Sequence, residues 1–220
     1  MLQPTASAPD RPELLYIFDP LCGWCYGMSP VIQRVQQEFA DQVDVSVLCG
    51  GMVVGEQVGP IGQDWNYISG ALQQVEKATG VQFGAAFRAL GEEGSYVQDS
   101  EPPSWAINAF RQLNQAQVAG FAHAVQHAYF HDGADLNEPK TYVPLATAYG
   151  VDAAEFLHRL TLPETATATR QEFAAVGKIG VQGFPTAILR VGNQGYVLAR
   201  GYQPYEVFAD GLRQALEQAG

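Results

Sequence analysis

The chain has 220 residues, with 12 basic against 23 acidic ones and a formal net charge of −11. The basic residues are scattered, which argues against nucleic acid or an anionic membrane as partner, since both need a concentrated positive face. At 47 % hydrophobic and 16 % charged there is material for a real core, and the three cysteines, Cys22, Cys25 and Cys49, are too few for a disulfide framework.

The length suits one large domain or a domain carrying a second subdomain. Residues 1–12 are polar, proline-containing and aperiodic, and read as a loose tail. They lack the basic start and apolar stretch of a secretory signal, and no apolar run approaches the ~20 residues that span a bilayer. The expectation is therefore a soluble, cytoplasmic protein.

Leu14-Leu15-Tyr16-Ile17-Phe18 is a short continuous apolar run, the mark of a strand buried on both faces, and Asp19-Pro20 stops it. Val31, Ile32, Val35 and Phe39 recur at helical spacing, so residues from about 23 to 40 read as a helix. Val43, Val45 and Val47 alternate with polar residues and predict a second strand ending at Cys49-Gly50-Gly51. Strand, helix and strand in so few residues make a right-handed βαβ unit. Between Gly51 and Gly180 the pattern turns helical, over segments near 62–78, 83–91, 103–118, 119–131, 138–149, 152–160 and 165–178. Beyond it, 186–191 and 196–199 flank the turn cluster Gly192-Asn193-Gln194-Gly195 as an antiparallel hairpin. Phe208, Leu212, Leu216 and Ala219 then mark a closing helix. The organisation expected is α/β: a sheet domain over 13–51 plus 180–220, interrupted by an all-helical subdomain over 52–179.

Cys22-Gly23-Trp24-Cys25 stands between a buried strand and a helix. The first cysteine then occupies the helix N-terminus, where N–H groups are unpaired and the macrodipole stabilises a thiolate, the attacking species. The second lies nearly one turn on, close enough to resolve a mixed disulfide formed at the first. A structural zinc site would need four ligands, usually two such pairs, and Cys49 alone remains. Far downstream, Gly183-Phe184-Pro185-Thr186 puts a proline at the start of an apolar strand, where its missing N–H is tolerated.

These two motifs, Phe18-Asp19-Pro20-Leu21-Cys22-Gly23-Trp24-Cys25-Tyr26-Gly27 and Gly183-Phe184-Pro185-Thr186, resemble the DsbA-like branch of the thioredoxin superfamily. Pro30, five residues after Cys25, matches the proline that kinks the active-site helix there. Within the branch the sequence most resembles the cytoplasmic predicted disulfide isomerases related to FrnE. The resemblance implies a thioredoxin-like fold with a helical insertion and a Cys22–Cys25 redox pair held by the Gly23-Trp24 loop. It further implies a cis Phe184–Pro185 bond facing the cysteines, and substrate docking along Phe184, Pro185 and Thr186. It implies no metal and no cofactor beyond the redox-active disulfide, with protein or peptide thiols and disulfides as substrates and glutathione as a candidate co-substrate. Two positions depart from the pattern. Many members of that branch carry a buried acid six residues before the first cysteine, where this chain has Tyr16, and Asp19 is acidic but only three residues before Cys22. The other reading of the fold is a glutathione-dependent isomerase or transferase for small molecules, against which Cys25 speaks.

Cys49, at a strand end, reads as a small buried hydrophobe. His123, His127 and His131 fall at i, i+4 and i+8. The third drifts around the helix by about 80°, so all three rarely meet one ion, and a partly solvated helix face is expected.

Overall fold

The computed structural model describes residues 11–219, so the expected N-terminal tail lies outside the described residues except for Arg11 and Pro12. Those two are tied down, correcting their share of the tail: Arg11 pairs with Asp44 at 3.0 Å, and the Pro12 carbonyl accepts from Asp44 N–H.

The sheet is built as the period of the apolar residues dictates. Strand β1 (Glu13–Phe18) runs parallel to β2 (Asp44–Cys49), with helix α1 (Gly23–Glu38) as the crossover. Strands β5 (Thr186–Val191) and β6 (Gln194–Arg200) form the hairpin, and β5 lies antiparallel to β1, giving the order β2-β1-β5-β6. The hairpin turn is tighter than expected. Gly192, at φ +55°, supplies the left-handed residue, so pairing already resumes at Gln194. Leu14, Tyr16, Ile17 and Phe18 are buried; each large apolar side chain taken out of water contributes about 1.5–3 kcal/mol. Helix α9 (Tyr205–Ala219) packs beside α1, where Arg34 lies over the Tyr205 ring at 3.5 Å.

Between β2 and β5 come α2 (Trp65–Thr79), α3 (Ala85–Glu93), α4 (Glu101–Leu113), α5 (Val118–Phe130), α6 (Tyr142–Ala148), α7 (Ala153–Thr161) and α8 (Pro163–Lys178). The insertion is not all helical, which corrects that expectation. Gly59–Pro60 and Val97–Gln98 pair as a two-stranded antiparallel ribbon, β3 and β4. Two residues are too few to show a period-2 pattern, so hydropathy alone does not reveal them. The helix expected over 103–118 ends at Leu113, because Asn114 leaves helical geometry at φ −150°, ψ 75°. It begins early, since Pro102 and Pro103 sit in its first turn, where their missing N–H groups cost nothing.

One hydrophobic cluster runs from the sheet into these helices, joining Phe18 and Met28 to Phe87, Phe110, Phe121 and Phe156. Phe110 on α4 and Phe121 on α5 stack with ring centroids 4.1 Å apart. Arg111 on α4 donates to the Val47 carbonyl at 2.7 Å and pairs with Glu172 of α8, whose carboxylate also accepts from Cys49 N–H at 2.8 Å. The inserted helices are thereby bolted to the edge strand β2. Among the described residues no helix is long and apolar enough to cross a membrane.

Candidate active site

Strand β1 ends at Phe18, and the turn Asp19-Pro20-Leu21 delivers Cys22 to the N-cap of α1. Its backbone there is extended, at φ −88° and ψ 113°, and its Sγ accepts the Cys25 N–H at 3.2 Å. The sulfur thus satisfies one of the donors that a helix start leaves unpaired. Gly23 and Trp24 form the first turn of α1, and the Trp24 ring lies 6.4 Å from that of Tyr202. Pro30 sits inside α1, as the motif predicts.

The two cysteines occupy unequal places. Cys22 is 6 % exposed and lines a cleft of about 220 Å³, whereas Cys25 is 0 % exposed behind it. Both are free thiols. Burial pushes the Cys25 thiol well above its ordinary value, and the neighbouring Cys22 adds to the shift.

The Phe184–Pro185 bond is cis, and the Phe184 carbonyl accepts from Cys22 Sγ at 3.7 Å. Thr186 opens β5 with its hydroxyl donating to the Gly183 carbonyl at 2.8 Å, which ties off the loop behind the proline. The structure therefore brings Cys22, Cys25, Phe184 and Pro185 together from opposite ends of the chain. Phe184 is itself seated against the end of β2. A Cβ added at Gly50 would stand 2.0 Å from its ring. Gly50→Ala is therefore expected to cost about 1–3 kcal/mol, the scale of overpacking, and to push the Phe184 carbonyl away from Cys22. Urea unfolding reads the first effect and the rate of Cys22 alkylation the second; an unchanged midpoint would show that the ring simply swings aside.

Two residues acquire roles that the sequence left open. Tyr16, six residues before Cys22, donates its hydroxyl to the Cys25 carbonyl at 3.1 Å, and burial pushes its phenol well above the ordinary value. It is a neutral brace and supplies no base. Asp19 is completely buried, and its carboxylate accepts from Leu21 N–H at 2.9 Å, Met52 N–H at 2.7 Å and Ser100 Oγ at 2.9 Å. Burial raises its pKa despite those donors. The apolar wall of the cleft was also missed: Met52, Ile68, Leu72, Val75, Phe83 and Phe130 come from the insertion and face Cys22 and Trp24. Helical periodicity marks such residues as interior without saying which of them border a cavity.

Cys49 is fully buried, and desolvation pushes its thiol well above the ordinary value. The three histidines separate. His123 turns inward, its Nδ1 2.7 Å from Ser29 Oγ, while the His127 and His131 rings stack 4.6 Å apart toward solvent.

Known proteins share this fold. The chain is similar to a candidate protein disulfide isomerase from Nitrosomonas europaea, at 26 % identity and TM-score 0.84, covering 96 % of this chain and 100 % of that one. It is likewise similar to the cytosolic disulfide reductase DsbM from Pseudomonas aeruginosa, at 27 % identity and TM-score 0.80 over 94 % of this chain and 100 % of that one. DsbM has also been solved with GSH. A 2-hydroxychromene-2-carboxylate isomerase shares the fold at 16 % identity and TM-score 0.64, covering 94 % of this chain and 97 % of that one. The model of the DSBA-like thioredoxin domain matches residues 14–213, and the chain belongs to that family.

Proposed function

We propose that this chain exchanges disulfides with protein or peptide substrates through Cys22 and Cys25, working as a reductase or isomerase in the cytoplasm. The observation that carries the reading is the placement of Cys22: an N-cap sulfur at the mouth of a cleft, facing the carbonyl before cis-Pro185, with a second thiol buried one turn behind it.

In the reducing direction the Cys22 thiolate attacks one sulfur of a substrate disulfide. That S–S bond breaks, and the departing sulfur takes up a proton. Cys25, losing its own proton, then attacks Cys22 in the mixed disulfide and releases the substrate as a dithiol. Two electrons pass to the substrate and the chain is left with a Cys22–Cys25 disulfide. Two glutathione thiols, as co-substrate, return it to the dithiol by way of a mixed disulfide and leave as glutathione disulfide, so the electrons come from glutathione. The apolar wall beside Cys22 favours substrates with an apolar side chain next to the disulfide. That DsbM, a cytosolic disulfide reductase, has been solved with GSH supports both the direction and the co-substrate.

The deciding measurement is the Cys22–Cys25 reduction potential, by equilibration against glutathione buffers with mass-spectrometric readout. A value near or below roughly −250 mV is expected, which keeps the pair reduced in the cytosol. A value of roughly −120 to −180 mV would mark an oxidant and overturn the assigned direction. If no intramolecular disulfide forms at any poise, the glutathione-dependent isomerase or transferase reading takes its place.

A further inference from the structure

Away from the cysteines, the C-terminal end of α5 gathers three metal-ligating side chains. His127 and His131 are one turn apart on the same face, their rings stacked 4.6 Å apart with an interplanar angle of 24°. Asp132 follows the helix and folds back over them: its carboxylate accepts from His131 Nδ1 at 2.8 Å and lies 3.5 Å from His127 Nδ1. One donor atom from each of the three residues lies within 4.8 Å of the others.

The backbone that carries them is held in place. His131 N–H donates to the His127 carbonyl at 2.9 Å, and Asp132 N–H reaches the same carbonyl at 3.3 Å, so the chain stays coiled two residues past the helix. Gly133, at φ +65°, then turns it away against Ala86, and a Cβ on Gly84 would stand 1.9 Å from the His131 carbonyl oxygen. The turn is therefore clamped on the start of α3, while the side chains reach solvent: His127 is 44 % exposed, His131 48 % and Asp132 57 %. Among the described residues no lysine or arginine pairs with Asp132; its carboxylate faces the two imidazoles instead.

We propose that His127, His131 and Asp132 form a binding site for a divalent transition-metal ion of the zinc class. Two imidazoles and one carboxylate are a borderline-soft donor set suited to zinc, with copper(II) held more tightly by the general order of affinities. Zinc–ligand distances of about 2.0–2.2 Å put donors on one tetrahedral ion roughly 3.3 Å apart. The donors now lie within 4.8 Å of one another on side chains that are about half exposed, so a shift of roughly 1.5 Å separates them from that spacing. A water completes the coordination. His123, bonded to Ser29, takes no part. Asp132 takes the third place, which an all-histidine set would have given to His123.

The test is zinc titration of the full chain in a Cys22→Ser/Cys25→Ser background, which removes the thiol pair as a competing ligand, using competition with a chromophoric chelator. One zinc per chain is expected. His131→Ala and His127→Ala should each weaken binding by about a hundredfold or more, since losing even an outer-sphere partner of a ligand costs 10–100-fold. His158→Ala, on the exposed face of α7, should leave binding unchanged. Asp132→Asn should weaken zinc at least tenfold; if it does not while the histidine variants do, the three-ligand site is wrong. Failure to reach one equivalent, or unchanged affinity in His131→Ala with an unaltered far-UV spectrum, overturns the proposal. Cobalt(II) substitution gives an independent reading: intense tetrahedral d–d absorption is expected in the background protein and its loss in His131→Ala.

Discussion

Cys22→Ser is expected to abolish disulfide reduction, with a rate loss of roughly 10³-fold or more, the scale of removing a nucleophile. Cys25→Ser is expected to fail differently, by accumulating a covalent adduct. The difference follows from position. Cys22 meets the cleft and Cys25 is fully enclosed, so a substrate sulfur can reach the first and not the second. Burial also holds Cys25 as a thiol at neutral pH, leaving it a poor attacker until a mixed disulfide at Cys22 brings a sulfur within its reach. Without Cys25 the mixed disulfide has no internal partner and must wait for external thiol. Insulin reduction with glutathione as donor gives the rates, and mass spectrometry of the quenched Cys25→Ser reaction should show the chain plus one substrate peptide. Residual activity in Cys22→Ser would remove Cys22 from the nucleophile's role. If Cys25→Ser forms no adduct yet conjugates glutathione to a small electrophile at an undiminished rate, the chain is a transferase on a shared fold.

The parts of this arrangement that were legible in the sequence share one property: their signal is local. The run Leu14–Phe18, the alternation of Val43, Val45 and Val47 and the helical spacing after Cys25 each declare an element within a few residues, and β1, α1 and β2 follow them closely. The cysteine pair and Pro185 were legible because each sits at a strand end beside a recognisable motif. The rest depends on partners far apart in the chain. The β3–β4 ribbon joins Gly59 to Gln98 through too few residues to pattern. Asp132 lies beyond the periodic stretch of α5, so its return onto the two histidines depends on the turn at Gly133. Asp19 meets Met52 and Ser100, separated from it by 33 and 81 positions, and no periodicity announces such a meeting.

Asp19 carries the second large effect. Its carboxylate is the common acceptor for the turn that presents Cys22, for the segment after β2 and for Ser100 at the start of α4, and its own carbonyl accepts from Gln126 of α5 at 3.3 Å. Ser100 extends the link by accepting Val53 N–H at 3.0 Å. Asp19→Ala would leave the Leu21 and Met52 N–H groups buried without a partner. At about 1–3 kcal/mol for each orphaned donor, less what is recovered by no longer burying a charge, a net loss of about 1–5 kcal/mol is expected. Should that variant not fold, Asp19→Asn is the gentler probe. Its amide oxygen can keep the Leu21 and Ser100 bonds, but its NH₂ faces the Met52 N–H, so about 1–3 kcal/mol is lost. The pH dependence has a definite sign. Because burial raises the folded pKa of Asp19 above its unfolded value, the native state binds more protons in the interval between them. Asp19 therefore favours the fold most below the unfolded value, about 3.9, and this contribution declines as pH rises through the folded value. Asparagine has no such term. The stability deficit of Asp19→Asn relative to the unaltered chain should then be largest near pH 4 and narrow toward neutrality, as read from urea unfolding across that range. A deficit that widens with pH would mean that the three donors outweigh burial and hold the carboxylate ionised. Asp19 would then be a charge the fold was built to keep, rather than one it tolerates in order to fix Cys22 in place.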